Sequence, residues 1–87
     1  MKQNPNYILR EVAGTMVLLP VGEATRDFPG MITVNPTSAY LWQQLATEQT
    51  VESLTKALLD KYDVTDDQAK ADVEKFLHTL TLVGAVV

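Results

Sequence analysis

The chain predicts a small α+β domain of winged-helix type, with three N-terminal β-strands followed by three α-helices. Three observations carry that expectation. Strand-forming residues crowd the first third of the sequence. Apolar residues recur at three- and four-residue spacing through the second half. Connections of only three or four residues join the helical segments.

The strands come first. Tyr7 to Val12 and Thr15 to Leu19 are rich in β-branched, aromatic and other apolar types, and only Ala13-Gly14 separates them. That spacing predicts a tight hairpin in which Gly14 takes a positive φ. Gly22 to Gly30 has the composition of a loop, with Pro29-Gly30 as a turn signal. Met31 to Val34 is then a short third strand.

The first helix starts at a sharp boundary, since Asn35 can cap it and Pro36 suits a first helical position that has no use for an N–H. Ser38, Leu41, Trp42 and Leu45 share one of its faces, while Tyr40 and Gln44 point the other way. Thr50 caps the second helix, whose core stripe is Val51, Leu54, Leu58 and Tyr62. Glu52, Lys56 and Asp60 form a ladder at four-residue spacing on the opposite side. The third helix opens with Thr65-Asp66-Asp67-Gln68, a capping-box pattern with two carboxylates at the positive end of the helix dipole. Ala69, Val73, Phe76, Leu77 and Leu80 are its buried stripe, and Gly84 fits the position just past its end. Ala85-Val86-Val87 reads either as a short strand or as a frayed tail.

Eighty-seven residues suit one domain spanning 1–87, with one core. The chain has no cysteine, so disulfides and thiolate metal sites are excluded and a reducing compartment is expected. No signal-peptide pattern opens it, and its apolar runs fall far short of the ~20 residues that span a bilayer. A cytoplasmic protein is the expectation. The net charge of −4 lies wholly in the second half: residues 47–87 hold four lysines against eight carboxylates. Nucleic acid or an anionic membrane surface would favour the opposite sign.

The residues of catalysis are sparse. His78 is the single histidine, about 140° around the third helix from Val73, with Glu74 one turn before it, and reads as a solvated helix residue. Ser38 and Ser53 both fall at the third position of a helix, where capping accounts for them. Asp63, Thr65, Asp67 and Glu74 match positions of a calcium-loop template, but Gln68 stands where that loop needs glycine, and the Val73 stripe requires helix. Neither metal nor cofactor is expected, and the protein does not read as an enzyme.

The order and spacing of these elements resemble the PqqD-like family, named after a protein of pyrroloquinoline quinone biosynthesis. The resemblance rests on Asn35, Ala39 and Trp42 of the first helix and on Thr50-Val51 and Tyr62-Asp63-Val64 around the second. Asp72-Val73, Phe76-Leu77, Leu80 and Gly84 complete it. It spans roughly residues 7–87.

The resemblance implies a non-catalytic recognition element, a peptide chaperone that binds the leader of a ribosomally made precursor peptide. It would present that leader to a modifying enzyme, often a radical S-adenosylmethionine protein. In the family the leader adds as a strand to the edge of the third strand and lies against the third helix. By that implication Met31, Ile32, Thr33 and Val34 form the receiving edge, and none of the four is charged. Specificity would come from one flank of the third helix, either Lys70, Glu74 and His78 or Asp72, Lys75 and Thr79. The sequence leaves both flanks open, so Lys70, Glu74, Lys75 and His78 stand together as candidates.

Two other readings use the same elements. A winged-helix nucleic-acid binder would use the third helix, but Lys70 and Lys75 lie about 140° apart among four carboxylates and make no basic stripe. A dimerisation or assembly module would pair the third strand with its own copy as a homodimer.

Overall fold

The computed structural model describes residues 1–27 and 30–87. Strands β1 (Tyr7–Val12) and β2 (Thr15–Pro20) are followed by a one-turn helix α1 (Ala24–Asp27) and strand β3 (Ile32–Val34). Helices α2 (Pro36–Gln44), α3 (Val51–Lys61) and α4 (Asp66–Val83) complete the chain. The three strands make one antiparallel sheet in the order β1-β2-β3, which leaves β3 at an edge. The architecture is the α+β arrangement expected of the sequence.

The hairpin determines which way β3 faces. Ala13 and Gly14 have φ of 51° and 83°, the doubly left-handed backbone of a two-residue type I′ turn. Such a turn makes its flanking residues, Val12 and Thr15, a hydrogen-bonded pair. Backbone direction alternates along an antiparallel ladder, so Thr15, Val17 and Leu19 bond to β1 while Met16, Leu18 and Pro20 face β3. Opposite them stand Val34, paired with Met16, and Ile32, paired with Leu18. Thr33 lies between those two and therefore turns its N–H and C=O outward. Pro20 has no N–H to donate, which ends the ladder after the Leu18–Ile32 pair and keeps β3 to three residues.

The core is a single cluster that draws Tyr7 and Leu18 from the sheet, Val34 from β3, and Leu41, Trp42 and Leu45 from the α2 region. Leu54 and Leu58 of α3 join it, as does the α4 stripe Ala69, Val73, Phe76, Leu77 and Leu80. Each large aliphatic side chain so buried contributes about 1.5–3 kcal/mol relative to an exposed one. The expected stripes of the three long helices account for most of it.

The caps form where local chemistry places them. The Asn35 side chain accepts the Ser38 backbone N–H at 2.7 Å. Thr50 and Ser53 make a reciprocal capping box, each accepting the other's backbone N–H, at 3.0 and 2.8 Å. Thr65 accepts from the Gln68 N–H at 3.2 Å, but Gln68 donates its own side-chain amide to Asp72 at 2.8 Å, so the second half of that box is not made. Gly84 ends α4 with φ of 74°.

Four details differ from the expectation or decide between its alternatives. The stretch expected as loop contains α1, whose Ala24 reaches the core; Phe28 and Pro29 lie outside the described residues. Tyr40 is half-buried, edge-on to Tyr62 with ring centroids 6.1 Å apart, and the Lys61 ammonium sits 4.7 Å above its ring. Among the described residues no ion pair closes along Glu52, Lys56 and Asp60. The C-terminal residues pair antiparallel with the N-terminal ones: Val86 bridges Gln3, and Lys2 and Val87 exchange two backbone hydrogen bonds at 2.9 Å. The segment is strand-like rather than frayed.

Candidate functional site

The open edge of β3 looks across a groove at α4. The groove has a volume of about 240 Å³. Ile32, Thr33, Val34 and Asn35 form one wall, and Asp72, Lys75, Phe76 and Thr79 the other. Between them Thr37, Ser38 and Leu41 of α2 make the floor. The abrupt passage from strand to helix at Asn35-Pro36 is what brings α2 beneath the edge. Leu41 and Phe76 reach the bottom from the core but are almost wholly buried, so the surface the groove presents is more polar than apolar.

The outward N–H and C=O of Thr33 lie on this wall. Among the described residues no group outside the β2–β3 ladder bonds to them. The two charged groups of the groove differ in their surroundings. Asp72 accepts a hydrogen bond from Gln68, whereas Lys75 forms no ion pair within 4 Å among the described residues.

Of the residues expected from the sequence, Ile32, Thr33, Val34 and Lys75 meet in this groove. Met31 precedes β3, is 56% exposed and does not line the groove. Lys70, Glu74 and His78 are exposed and lie on the opposite flank of α4, beyond its buried stripe. The flank turned to β3 is that of Asp72, Lys75 and Thr79. Sequence reasoning placed Leu41 and Phe76 in the core and left Thr37 without a role. One signal was legible: Ser38 is a polar residue in an otherwise apolar stripe, and it sits where that stripe runs out under the groove.

His78 is exposed and does not line the groove, and Ser53 is engaged in its capping box. Among the described residues no group of three or more histidine, aspartate or glutamate side chains could hold a metal ion. No helix among them is long and apolar enough to cross a membrane. Of the calcium-loop template positions, Asp63 lies in the α3–α4 connection, Thr65 caps α4, and Asp67 and Glu74 lie within that helix.

Three strands with β3 at an open edge, followed by three long helices of which the last faces that edge, make this a small α+β domain of winged-helix type. The chain belongs to the PqqD family: the family model described as coenzyme PQQ synthesis protein D (PqqD) matches residues 15–86. Two solved structures share its fold. One is TbiB1 in complex with the TbiA(beta) leader peptide, with a TM-score of 0.75 at 18% identity, covering 98% of this chain and 93% of the other. The second is lasso peptide synthetase B1 complexed with the leader peptide, with a TM-score of 0.69 at 21% identity, covering 92% and 88%. No functionally curated protein matches the chain.

Proposed function

We propose that this protein is a non-catalytic recognition element that binds the leader segment of a ribosomally made precursor peptide by strand addition to β3. It presents the bound peptide to a separate modifying enzyme, for which a radical S-adenosylmethionine protein is the first candidate. The observation that carries the reading is the outward Thr33 backbone facing α4 across an open groove. A chain entering there gains main-chain hydrogen bonds from the edge and side-chain contacts from the helix, the two components of β-augmentation. The two similar folds were both solved with leader peptides bound, which supports the same use here. The exposed face of α4, with Asp66, Asp67 and Glu74 around Lys70, offers a nucleic-acid phosphate backbone little to hold.

The test is a titration of the protein with a leader peptide encoded beside it, followed by amide hydrogen exchange. Saturable binding at micromolar strength or tighter, with the Thr33 amide becoming protected, is the expected result. Binding that leaves Thr33 exchanging as in the free protein would overturn strand addition.

A further inference from the structure

The groove carries one cation and one anion on the same helix, and their different environments give it a charge preference. Asp72 is already hydrogen-bonded to Gln68 at 2.8 Å, while Lys75, one turn further along α4, has no carboxylate within ion-pair distance among the described residues. The protein is acidic, with a net charge of −4 that lies entirely in residues 47–87, and among the described residues lining the groove Asp72 is the one carboxylate. A guest rich in carboxylates would be repelled by that net charge and by Asp72, with Lys75 the one cation among the groove's described lining to offset it.

Resting on the reading of this groove as a leader-binding site, we infer that Lys75 is a specificity-determining residue. It selects an extended peptide bearing a single acidic side chain opposite the Lys75 ammonium. An apolar residue of that peptide seats against half-buried Ile32 on the facing wall, and no acid lies opposite Asp72. The ammonium is a mobile point charge on a long stem, so it fits aspartate or glutamate without demanding one rotamer. A charge pair at a partly dehydrated groove wall discriminates more strongly than one on open surface, because solvent screens it less. The same wall rejects a misplaced acid through Asp72, so the arrangement sets register as well as composition.

A selection experiment tests this without knowing the natural ligand. Random twelve-residue peptides are displayed and selected against the wild-type protein, Lys75→Glu and Lys75→Met, each checked for native helix content. Wild type is expected to enrich aspartate or glutamate at one position next to an apolar residue, with acids depleted elsewhere. Lys75→Glu should enrich lysine or arginine at that same position. Lys75→Met should keep the apolar preference and lose the charge. Synthesised winners should lose roughly tenfold in affinity for Lys75→Glu and recover it when their acid is replaced by lysine. Winners whose charge pattern is the same for all three proteins would overturn the role of Lys75 while leaving strand addition intact. Failure to select any peptide, or winners that bind Thr33→Pro as well as wild type, would overturn the leader-binding reading itself and this inference with it.

Discussion

The side-chain oxygen of Asn35 accepts the backbone N–H of Ser38 at 2.7 Å, so strand β3 ends and helix α2 begins within a single residue. Both residues also line the groove, one on its wall and one on its floor. The cap therefore fixes the angle between edge and floor as well as stabilising the helix.

Asn35→Ala should cost about 1 kcal/mol, the usual effect of losing such a cap. In a domain of this size that lowers Tm by roughly 4–8 °C. Peptide affinity should fall as well, because the groove loses the contact that sets its shape. Calorimetry and a binding titration on the same sample check both.

Thr33→Pro should remove the outward donor and little else. Its N–H takes no part in the β2–β3 ladder, and its side chain is exposed. The expected result is at least a tenfold loss of peptide binding with a Tm within a few degrees of wild type. Proline at the next position is a different experiment. Val34 is buried and directs its backbone to Met16, so Val34→Pro should unfold the sheet instead. Comparing the two by circular dichroism and titration separates loss of the edge from loss of the fold.

Ala13→Asn should stabilise the protein. Ala13 sits at φ of 51°, a left-handed conformation that costs an alanine about 1 kcal/mol, and Asn-Gly is the favoured pair for this turn. A gain of about 0.5–1 kcal/mol in denaturant unfolding is expected, with peptide binding unchanged because Ala13 does not line the groove.

Leu80→Ala should destabilise strongly. Leu80 is fully buried where α4 meets the rest of the core, and a truncation of this kind costs about 2–5 kcal/mol. Small domains have only about 5–15 kcal/mol in total. The variant should be at the margin of folding at 37 °C, read as a lower urea midpoint with an unchanged slope.

The caps and stripes of the long helices were legible because their causes are local. A side chain two or three residues away makes each cap, as Thr50 and Ser53 do, and the α4 stripe repeats with the helix itself. The hairpin was legible for the same reason. What could not be read depends on contacts distant in sequence. Gln3 and Val86 meet only once the core has closed, and the choice between the two flanks of α4 is fixed by how that helix rotates onto α2 and β3. Helical angle turns Tyr40 away from the apolar face, but Tyr62, twenty-two residues later, packs edge-on against it. Helix α1 escaped because a stretch of glycine, proline and charge gives no periodicity, and its single turn is held by local bonds such as the Thr25 hydroxyl donating to the Gly22 carbonyl.

The brevity of β3 bears on time as much as on strength. A guest strand finds one residue, Thr33, that offers both backbone groups, and two such bonds contribute about 2 kcal/mol net. Micromolar binding needs about 8 kcal/mol, so most of the hold would come from side chains in the groove rather than from the main-chain ladder. At an ordinary association rate of about 10⁶ per molar per second, that affinity corresponds to a residence time of about one second. An interval of that length is comparable with the turnover of a typical enzyme, at about 1–10³ per second. A longer β3 would grip its guest for minutes. On the proposed strand-addition reading, three residues, limited by the missing N–H of Pro20, would suit an adaptor that releases one peptide in time to collect the next.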